Sequence, residues 1–219
     1  MIGLVLRFWA AYVLAYLLGA IPFALIVGKV FYKTDLREHG SGNLGGTNVY
    51  RVLGWKAGLA VVVLDIAKGA AAVAIAMLLH PTHMGAMVHD WVLIGAMIAA
   101  VLGHSYSPYI KFRGGKGVAA AAGGLLVIEP LALLILLLVF AGVIAASRMV
   151  SLASIVVAAA YPALTIALYG DRTALVAMSF FAAAIVLWRH RGNMVRIWRR
   201  EEAKISYRRR ETPATEDRG

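Results

Sequence analysis

Long apolar runs separated by short polar stretches dominate the chain. Most of the runs are close to the length, about 20 residues, that an α-helix needs to cross roughly 30 Å of hydrocarbon. They lie near 4–30, 56–79, 91–110, 117–128, 130–148, 150–169 and 173–188. The fourth run is short, and Glu129-Pro130 separates it from the fifth because proline interrupts helical hydrogen bonding. The pattern predicts an all-α integral membrane protein, a bundle of seven transmembrane helices with a short fourth helix.

The distribution of basic residues predicts the orientation of this bundle. With seven crossings and the N-terminus outside, the outer segments contain only Arg7 and Arg172. The inner segments then hold Lys33, Arg37, Arg51, Lys56, Lys111, Arg113, Lys116, Arg148 and the basic residues of the C-terminal region. This asymmetry follows the positive-inside rule, so we expect the C-terminus in the cytoplasm. If 117–148 formed a single crossing, all basic residues from Arg189 onward would lie outside.

Composition narrows the class of protein further. Hydrophobic residues make up 61% of the chain and charged residues 15%, against about 25% charged in soluble domains. The absence of cysteine excludes disulfides and thiolate chemistry. The net charge of +11 would suggest nucleic acid in a soluble protein, but here it marks the cytoplasmic side, and no nucleic-acid partner is expected. We expect one catalytic membrane domain over 1–205 and a basic, flexible tail over 206–219 that is attracted to anionic lipids.

The first polar stretch between the predicted helices is rich in glycine, amides and hydroxyls. It runs from His39 to Arg51 and carries the candidate ligand groups Ser41, Asn43 and Asn48. Glycines allow close backbone approach, so successive N–H groups can form an anion-binding nest. The guanidinium of Arg51 suits phosphate because its donors form a planar fork. A simple connecting loop is the alternative interpretation.

The second polar stretch, Gly103 to Gly117, ends in a basic glycine loop immediately before a predicted helix. Its candidate ligand groups are His104, Lys111, Arg113, Gly114, Gly115, Lys116 and Gly117. Amides at a helix N-terminus, the helix dipole and a lysine together favour an anion. The loop lacks the first glycine and the Ser/Thr of a nucleotide-binding P-loop, so nucleoside triphosphates are not indicated. A positively charged membrane anchor would explain the charge but not the glycines.

The third polar stretch follows the last predicted span. His190 and Asn193 are three residues apart and share one helical face there. Ser151 and Ser154 lie one turn apart at the predicted inner start of another helix. Each of these features alone is compatible with ordinary packing or with a basic helix end. Because the predicted topology places all three stretches on the inner side, we expect one shared pocket for small phosphorylated molecules.

The three stretches resemble the motifs of the bacterial acyl-phosphate:glycerol-3-phosphate acyltransferases, the PlsY family. The matching segments, in order, are Gly40–Arg51, Gly103–Gly117 and Arg189–Asn193. Arg113 stands where lysine is common in the family, and Gly192 stands where glutamate is frequent. The resemblance covers nearly the whole chain before about residue 205. It implies transfer of an acyl group from acyl phosphate to the sn-1 hydroxyl of glycerol 3-phosphate, giving lysophosphatidic acid and phosphate.

The resemblance also implies roles for individual residues. Ser41, Asn43 and the Gly114–Gly117 loop would position the acyl phosphate and stabilise the carbonyl oxyanion. Glycerol 3-phosphate would be held by donors from all three stretches. These comprise Arg51, a basic residue among Lys111, Arg113 and Lys116, one of Ser151 and Ser154, His190 and Asn193. Asn48 is also expected to bind substrate. The family context implies a monomer that contacts membrane lipids in the bacterial inner membrane, with a cytoplasmic active site and no metal or other cofactor.

His104 has two possible roles. By residue type it is a candidate general base. The resemblance instead implies that acyl-phosphate oxygens take the proton while His104 orients the substrate. In the second case, replacing His104 with alanine would reduce activity without abolishing it.

Several other features have simpler explanations. Asp65 and Lys68 are predicted to form an ion pair inside the second segment, structural in role or supporting the site from behind. His80, His83, His89 and Asp90 gather in one outer stretch, which we interpret as a solvated loop rather than a metal site. The main alternative function is a transporter for a phosphorylated metabolite, although transporters usually bind substrate near the membrane midplane.

Overall fold

The computed structural model describes residues 2–79 and 85–205. Over these residues the chain is helical and contains no β-strand. The helices are α1 (Ile2–Ala20), α2 (Phe23–Tyr32), α3 (Gly46–Leu53), α4 (Trp55–Leu79), α5 (Ala86–Ser105), α6 (Val118–Ile128), α7 (Pro130–Ser147), α8 (Val150–Tyr169), α9 (Thr173–Arg189) and α10 (Arg191–Trp198). A short 3₁₀ turn, Pro108–Ile110, follows α5.

Five stretches among the described residues are long and apolar enough to cross a membrane. They are Leu6–Tyr32, Trp55–Leu79, Ala86–Ile110, Pro130–Ser147 and Val150–Tyr169. The pair α9 and α10, bent by 59°, raises this number to six if it counts as one span. Helix α6 has only 11 residues, about 16 Å of helix. The helical membrane architecture is therefore confirmed, while seven crossings and an outside N-terminus stay predictions.

The first apolar run, predicted as one helix over 4–30, is interrupted. Helix α1 ends at Ala20, and α2 begins at Phe23 after Ile21 and Pro22. Proline cannot donate the backbone hydrogen bond that a continuous helix requires at this point. The carbonyls exposed by the break are satisfied from elsewhere: Lys68 Nζ donates to the Ile21 carbonyl at 2.7 Å, and the Ser107 hydroxyl donates to the Ala20 carbonyl at 2.7 Å.

Small residues bring the central helices into close contact. A side-chain carbon at Gly69 of α4 would overlap the backbone of Ala120 in α6, and one at Gly123 would overlap the backbone of Ile66. Such close approach is typical of membrane helices, whose association depends on packing rather than on hydrophobic burial. The same tight α4–α6 pairing fixes the position of the loop that precedes α6.

Polar side chains gather at the two ends of the bundle. At the end where α5 and α9 begin, Asp90 forms an ion pair with Arg172. Towards this end, the buried Glu129 between α6 and α7 accepts hydrogen bonds from Tyr161 at 2.9 Å and Thr165 at 3.2 Å. The opposite end contains the start of α6, the start of α8 and the end of α9. Helices α6 and α7 therefore form a hairpin that leaves this second end and returns to it.

Candidate functional site

The loop between α2 and α3 is organised by one buried amide. Asn48 accepts hydrogen bonds from the backbone N–H and the hydroxyl of Ser41, at 2.8 and 3.2 Å. Its Nδ2 donates to the carbonyls of Leu36 and His39 at 3.3 and 3.1 Å. Gly40 has a φ of +63° and lies so close to the Asn48 amide that a Cβ would overlap it. Asn48 thus shapes the loop that presents Ser41, rather than projecting from it towards a ligand.

The glycine loop before α6 is pinned to the end of α5. Gly115 N–H donates to the His104 carbonyl, and Gly114 N–H donates to the Ser105 carbonyl, both at 3.1 Å. From the other side, Arg189 donates to the Gly115 carbonyl at 2.6 Å. The amides of Gly114 and Gly115 are therefore engaged within the protein. The donors left for an anion are those at the N-terminus of α6, which intrahelical bonds do not satisfy.

Residues from four parts of the chain meet around one buried carboxylate. Glu202 Oε1 accepts from Ser151 and from Asn193 Nδ2, each at 2.8 Å, and Oε2 accepts from Arg196 at 2.8 Å. Lys116 Nζ donates in turn to Asn193 Oδ1. We call these five residues the Glu202 network. It joins the glycine loop, the start of α8, helix α10 and the segment after α10, as the shared-pocket hypothesis requires.

The segment after α10 closes the same region. Arg51 donates to the Ala203 carbonyl at 3.0 Å, and Ile205 N–H donates to the Arg148 carbonyl at 2.8 Å. Nε of Arg51 is buried and has no hydrogen-bond partner among the described residues. Arg51 is thus held beside the Glu202 network with a donor to spare. The first, second and third polar stretches therefore converge at one end of the bundle.

Burial and the cations around the network lower the pKa of Lys116 to about 8. Burial is the largest cause; Glu202 opposes the shift, while Arg196, Arg189 and Arg51 add to it. Like charges favour the neutral amine, because each repels its proton. Hydrogen bonds from Ser151, Asn193 and Arg196 outweigh burial at Glu202 and lower the pKa of that carboxyl. The site thus holds one ionised acid within an excess of positive charge, an arrangement suited to an anionic ligand.

A small pocket lies beside the glycine loop. Residues around the α1–α2 break, Leu44, Asp65, Lys68, His104, Ile110, Gly114 and Gly115 line it. The His104 ring contacts Gly115 so closely that a Cβ there would overlap Nε2. Ser41 and Asn43 belong to the loop that contributes Leu44, but neither lines this pocket. Of the three predicted catalytic residues, the structure places His104 in the pocket and the other two in an adjoining loop.

The remaining predicted site residues differ in whether they are exposed, bonded within their own helix, or buried near the network. Lys111 and Arg113 are exposed, and neither takes part in the Glu202 network. Ser154 donates to the Val150 carbonyl of its own helix at 2.9 Å, so Ser151 is the serine that the network uses. His190 is buried, and its Nδ1 donates to the Val186 carbonyl at 2.8 Å. Because a carbonyl only accepts, Nε2 of His190 is left as a hydrogen-bond acceptor.

Sequence reasoning missed Glu202 and Arg196. Arg196 ends the third polar stretch, and Glu202 follows six residues later as one of two adjacent acids, Glu201 and Glu202, among many cations. The available signal was the rarity of acids near the helix ends that the sequence predicts to lie on the inner side. A carboxylate that lies among so many cations is expected to pair with some of them, as Glu202 does with Arg196.

The histidine stretch predicted to lie outside is described only in part. Residues 80–84, which include His80 and His83, lie outside the described residues. Asp90 is paired with Arg172 instead. Within 2–79 and 85–205, no group of three or more His, Asp or Glu side chains is arranged to hold a metal ion.

Comparison with known proteins gives one consistent result. The family model described as glycerol-3-phosphate acyltransferase matches residues 9–200. The chain is 46% identical over 195 residues to a glycerol-3-phosphate acyltransferase of Geobacillus kaustophilus (strain HTA426), covering 89% of this chain and 94% of the relative. It is 44% identical over 196 residues to the enzyme of that name from Listeria monocytogenes serovar 1/2a, covering 89% and 94%.

Two solved structures share the fold. The crystal structure of PlsY (YgiH), an integral membrane glycerol 3-phosphate acyltransferase, in its glycerol 3-phosphate form is similar with a TM-score of 0.81 and 36% identity, covering 91% of this chain and 96% of that one. Its lysophosphatidic acid form gives a TM-score of 0.78 and 35% identity, covering 91% and 95%. The resemblance seen in the three polar stretches thus extends over the whole helical domain.

Proposed function

This chain belongs to the glycerol-3-phosphate acyltransferase family, and we propose that it transfers an acyl group from acyl phosphate to the sn-1 hydroxyl of glycerol 3-phosphate. The products are lysophosphatidic acid and phosphate. The PlsY structures in glycerol 3-phosphate and lysophosphatidic acid forms support the acceptor and the product. The cationic and neutral hydrogen-bond donors of the site on this chain support the same acceptor.

The convergence of Arg51, Lys116, Ser151 and Asn193 carries the proposal. These side chains come from four helices or loops, yet they surround one carboxylate or its adjoining segment. Cationic and neutral donors in this number suit a phosphate, because charge-assisted hydrogen bonds contribute about 1.5–3 kcal/mol each. His190 adds the acceptor Nε2, which suits a hydroxyl of the glycerol moiety.

The acyl donor is expected to bind on the other side of the glycine loop. Free amides at the N-terminus of α6 can hold its phosphate or the developing oxyanion, supported by the helix dipole. Acyl phosphate is a mixed anhydride with a good leaving group, so no covalent enzyme intermediate is required. Ser41 and Asn43, presented by the Asn48-organised loop, are proposed to position this donor.

We place the enzyme in the bacterial inner membrane with the site facing the cytoplasm, acting as a monomer without metal or other cofactor. The basic residues concentrated around the site support this orientation. A transporter would need polar groups that continue towards the far end of the bundle. The polar groups at the far end, the Asp90–Arg172 pair and the Glu129 cluster, bond to one another, and apolar core residues of α5 such as Leu93 and Met97 lie between them and the site, so acyl transfer is the better supported function.

The decisive experiment compares acyl donors. Purified protein receives glycerol 3-phosphate with either palmitoyl phosphate or palmitoyl-CoA, and released phosphate and lysophosphatidic acid are measured. We expect both products with palmitoyl phosphate and neither with palmitoyl-CoA. Turnover with the CoA ester alone would overturn the donor assignment.

A pair of arginine variants tests the acceptor site. Arg51→Ala removes a donor beside the Glu202 network, and we expect the KM for glycerol 3-phosphate to rise at least about tenfold. Arg199→Ala removes an exposed arginine at the end of α10 and is expected to leave this KM unchanged. Equal effects of the two substitutions would mean that only the general positive charge of this face matters.

A further inference from the structure

The pocket beside the glycine loop contains a buried carboxylate that the mechanism has not used. Asp65 lies in α4 with only 3% of its side chain exposed, and His104 is nearly as buried at the end of α5. Asp65 Oδ1 lies 3.5 Å from His104 Nδ1. No other described residue forms a hydrogen bond or ion pair with this ring nitrogen. A carboxylate facing one nitrogen of an imidazole favours the tautomer that carries the proton on that nitrogen.

Lys68 fixes the carboxylate in place. Its Nζ lies 2.8 Å from Asp65 Oδ1, and the same ammonium group donates to the Ile21 carbonyl at the α1–α2 break. It also lies 5.6 Å from the centre of the Phe23 ring. Lys68 therefore compensates the buried negative charge and ties Asp65 to the interrupted helix. If the Asp65–Lys68 ion pair only balanced two buried charges, Asp65 would have no reason to face His104.

The other ring nitrogen faces the glycine loop. Nε2 of His104 lies against Gly115, the residue before Lys116 of the Glu202 network. With the proton on Nδ1, Nε2 carries a lone pair and accepts hydrogen bonds. A glycerol phosphate bound at Lys116 would bring its hydroxyl groups next to this acceptor.

We propose that Asp65 is a positioning residue that holds His104 with Nδ1–H towards the carboxylate and Nε2 towards the attacking hydroxyl of glycerol 3-phosphate. This inference rests on the proposed function, whose acceptor it concerns. The hydroxyl oxygen forms the ester bond to the acyl carbon as the bond from that carbon to the phosphate oxygen breaks. The phosphate leaves with the bonding electron pair and receives the hydroxyl proton, so hydrogen phosphate is released and His104 ends unchanged.

The tautomer can be measured on the wild-type enzyme. Protein labelled with ¹⁵N at its histidines is recorded at a pH where His104 is neutral, and the His104 signals are assigned by their loss in His104→Gln. If that variant does not fold, replacing the other five histidines leaves His104 as the remaining signal. We expect Nδ1 to carry the proton. Protonation at Nε2 instead would overturn the proposal without any Asp65 variant.

A double-mutant cycle then tests whether Asp65 acts through His104. We expect Asp65→Asn to lower kcat about tenfold or more while the KM for glycerol 3-phosphate changes less than about threefold. His104→Gln should lower kcat to a similar level, and the double variant should fall no further, because residues that act as a unit are not additive. Losses that multiply in the double variant would show independent structural roles and contradict the proposal.

Two controls separate positioning from folding. Asp65→Asn alone leaves Lys68 as a buried charge without its partner, which could destabilise the protein. Combining it with Lys68→Met removes both buried charges. We expect this double variant to fold and to keep the low kcat. Glu129→Gln changes a buried carboxylate remote from the site, and we expect its kcat to equal that of the wild type. If wild-type protein yields no lysophosphatidic acid from palmitoyl phosphate, the proposed function fails. If the wild type is active and Asp65→Asn keeps its kcat, only this inference fails.

Discussion

The surroundings of a residue at the site can change its pKa away from the ordinary value of its residue type. Lys116 is the clearest case, because burial and three neighbouring arginines lower its pKa to about 8, from an ordinary value near 10.5. The cationic form therefore prevails at neutral pH and is lost as the pH rises through about 8. An amine that binds phosphate only when protonated makes the enzyme sensitive to alkaline pH.

The KM for glycerol 3-phosphate should consequently rise as the pH increases past about 8. Lys116→Arg should keep this KM nearly constant up to about pH 9.5, since arginine stays protonated there. Initial rates measured at several substrate concentrations between pH 6.5 and 9.5 test both expectations. The prediction is wrong if the two proteins show the same alkaline rise.

Glu202 is expected to organise the cations rather than compete with the substrate. Glu202→Gln keeps the side-chain shape but places an amide N–H₂ where Arg196 or Asn193 now donates, so the donors lose their common acceptor. We expect the KM for glycerol 3-phosphate to rise about tenfold or more, in line with the loss of a charge-assisted hydrogen bond.

Glu201 provides a matched control for this substitution. It is adjacent and exposed, whereas Glu202 is only 7% exposed. Glu201→Gln should leave the KM unchanged in the same assay. A lower KM in Glu202→Gln would instead mean that this carboxylate occupies the phosphate position in the free enzyme.

The sequence predicted most of the residues at the candidate site. It predicted only some of the contacts between them. Lys116, Ser151 and Asn193 carry the donors expected of a phosphate site, and the structure joins them. The sequence left Ser151 and Ser154 equivalent, since only the packed structure shows that Ser154 bonds to its own helix. Glu202 was missed because Asn193 and Arg196, nine and six residues away, and the distant Ser151 become its neighbours only after the helices pack.

At the scale of elements, helix type was predictable and helix continuity was not. The apolar run 4–30, uncharged from Phe8 to Gly28, predicts a membrane helix. Pro22 alone does not predict a break, since prolines are tolerated in membrane helices. The break depends on Lys68 and Ser107, which supply donors for the carbonyls that it exposes. Those partners belong to other elements, so hydropathy along the chain carries no information about them.

The α4–α6 contact should tolerate no added side-chain volume. Gly123→Ala places a methyl group against the Ile66 carbonyl, and we expect a loss of about 1–3 kcal/mol in unfolding free energy. Gly142→Ala, in open space on α7, should instead stabilise the protein by up to about 1 kcal/mol, because alanine favours helix. Thermal unfolding in detergent measures both. Equal melting temperatures for the two variants would contradict the close packing described here.

At the scale of the whole molecule, the ends of the bundle differ in chemistry. The Glu202 network and the glycine loop lie at one end, and the Asp90–Arg172 pair lies at the other. The predicted seven crossings agree with this arrangement, because α6 and α7 leave the site end and return to it. The basic residues concentrated at the site end predict that this end faces the cytoplasm.

Labelling of single cysteines tests this orientation directly, because the chain contains no cysteine of its own. Glu38→Cys lies in the exposed α2–α3 loop near the site, and Asp171→Cys lies in the exposed turn between α8 and α9. With an impermeant maleimide, we expect Asp171→Cys to react in spheroplasts with intact inner membranes and Glu38→Cys to react only after lysis. The reverse pattern would place the site outside.

The bond from Arg51 to Ala203 joins residues 152 positions apart in the chain. During synthesis, the arginine leaves the ribosome well before its partner, and helices α4 to α10 are made in between. The contact that closes this end of the bundle therefore forms only after all the described helices have been synthesised. A truncated product ending before Glu202 would insert its helices normally and yet remain unable to hold its soluble substrate.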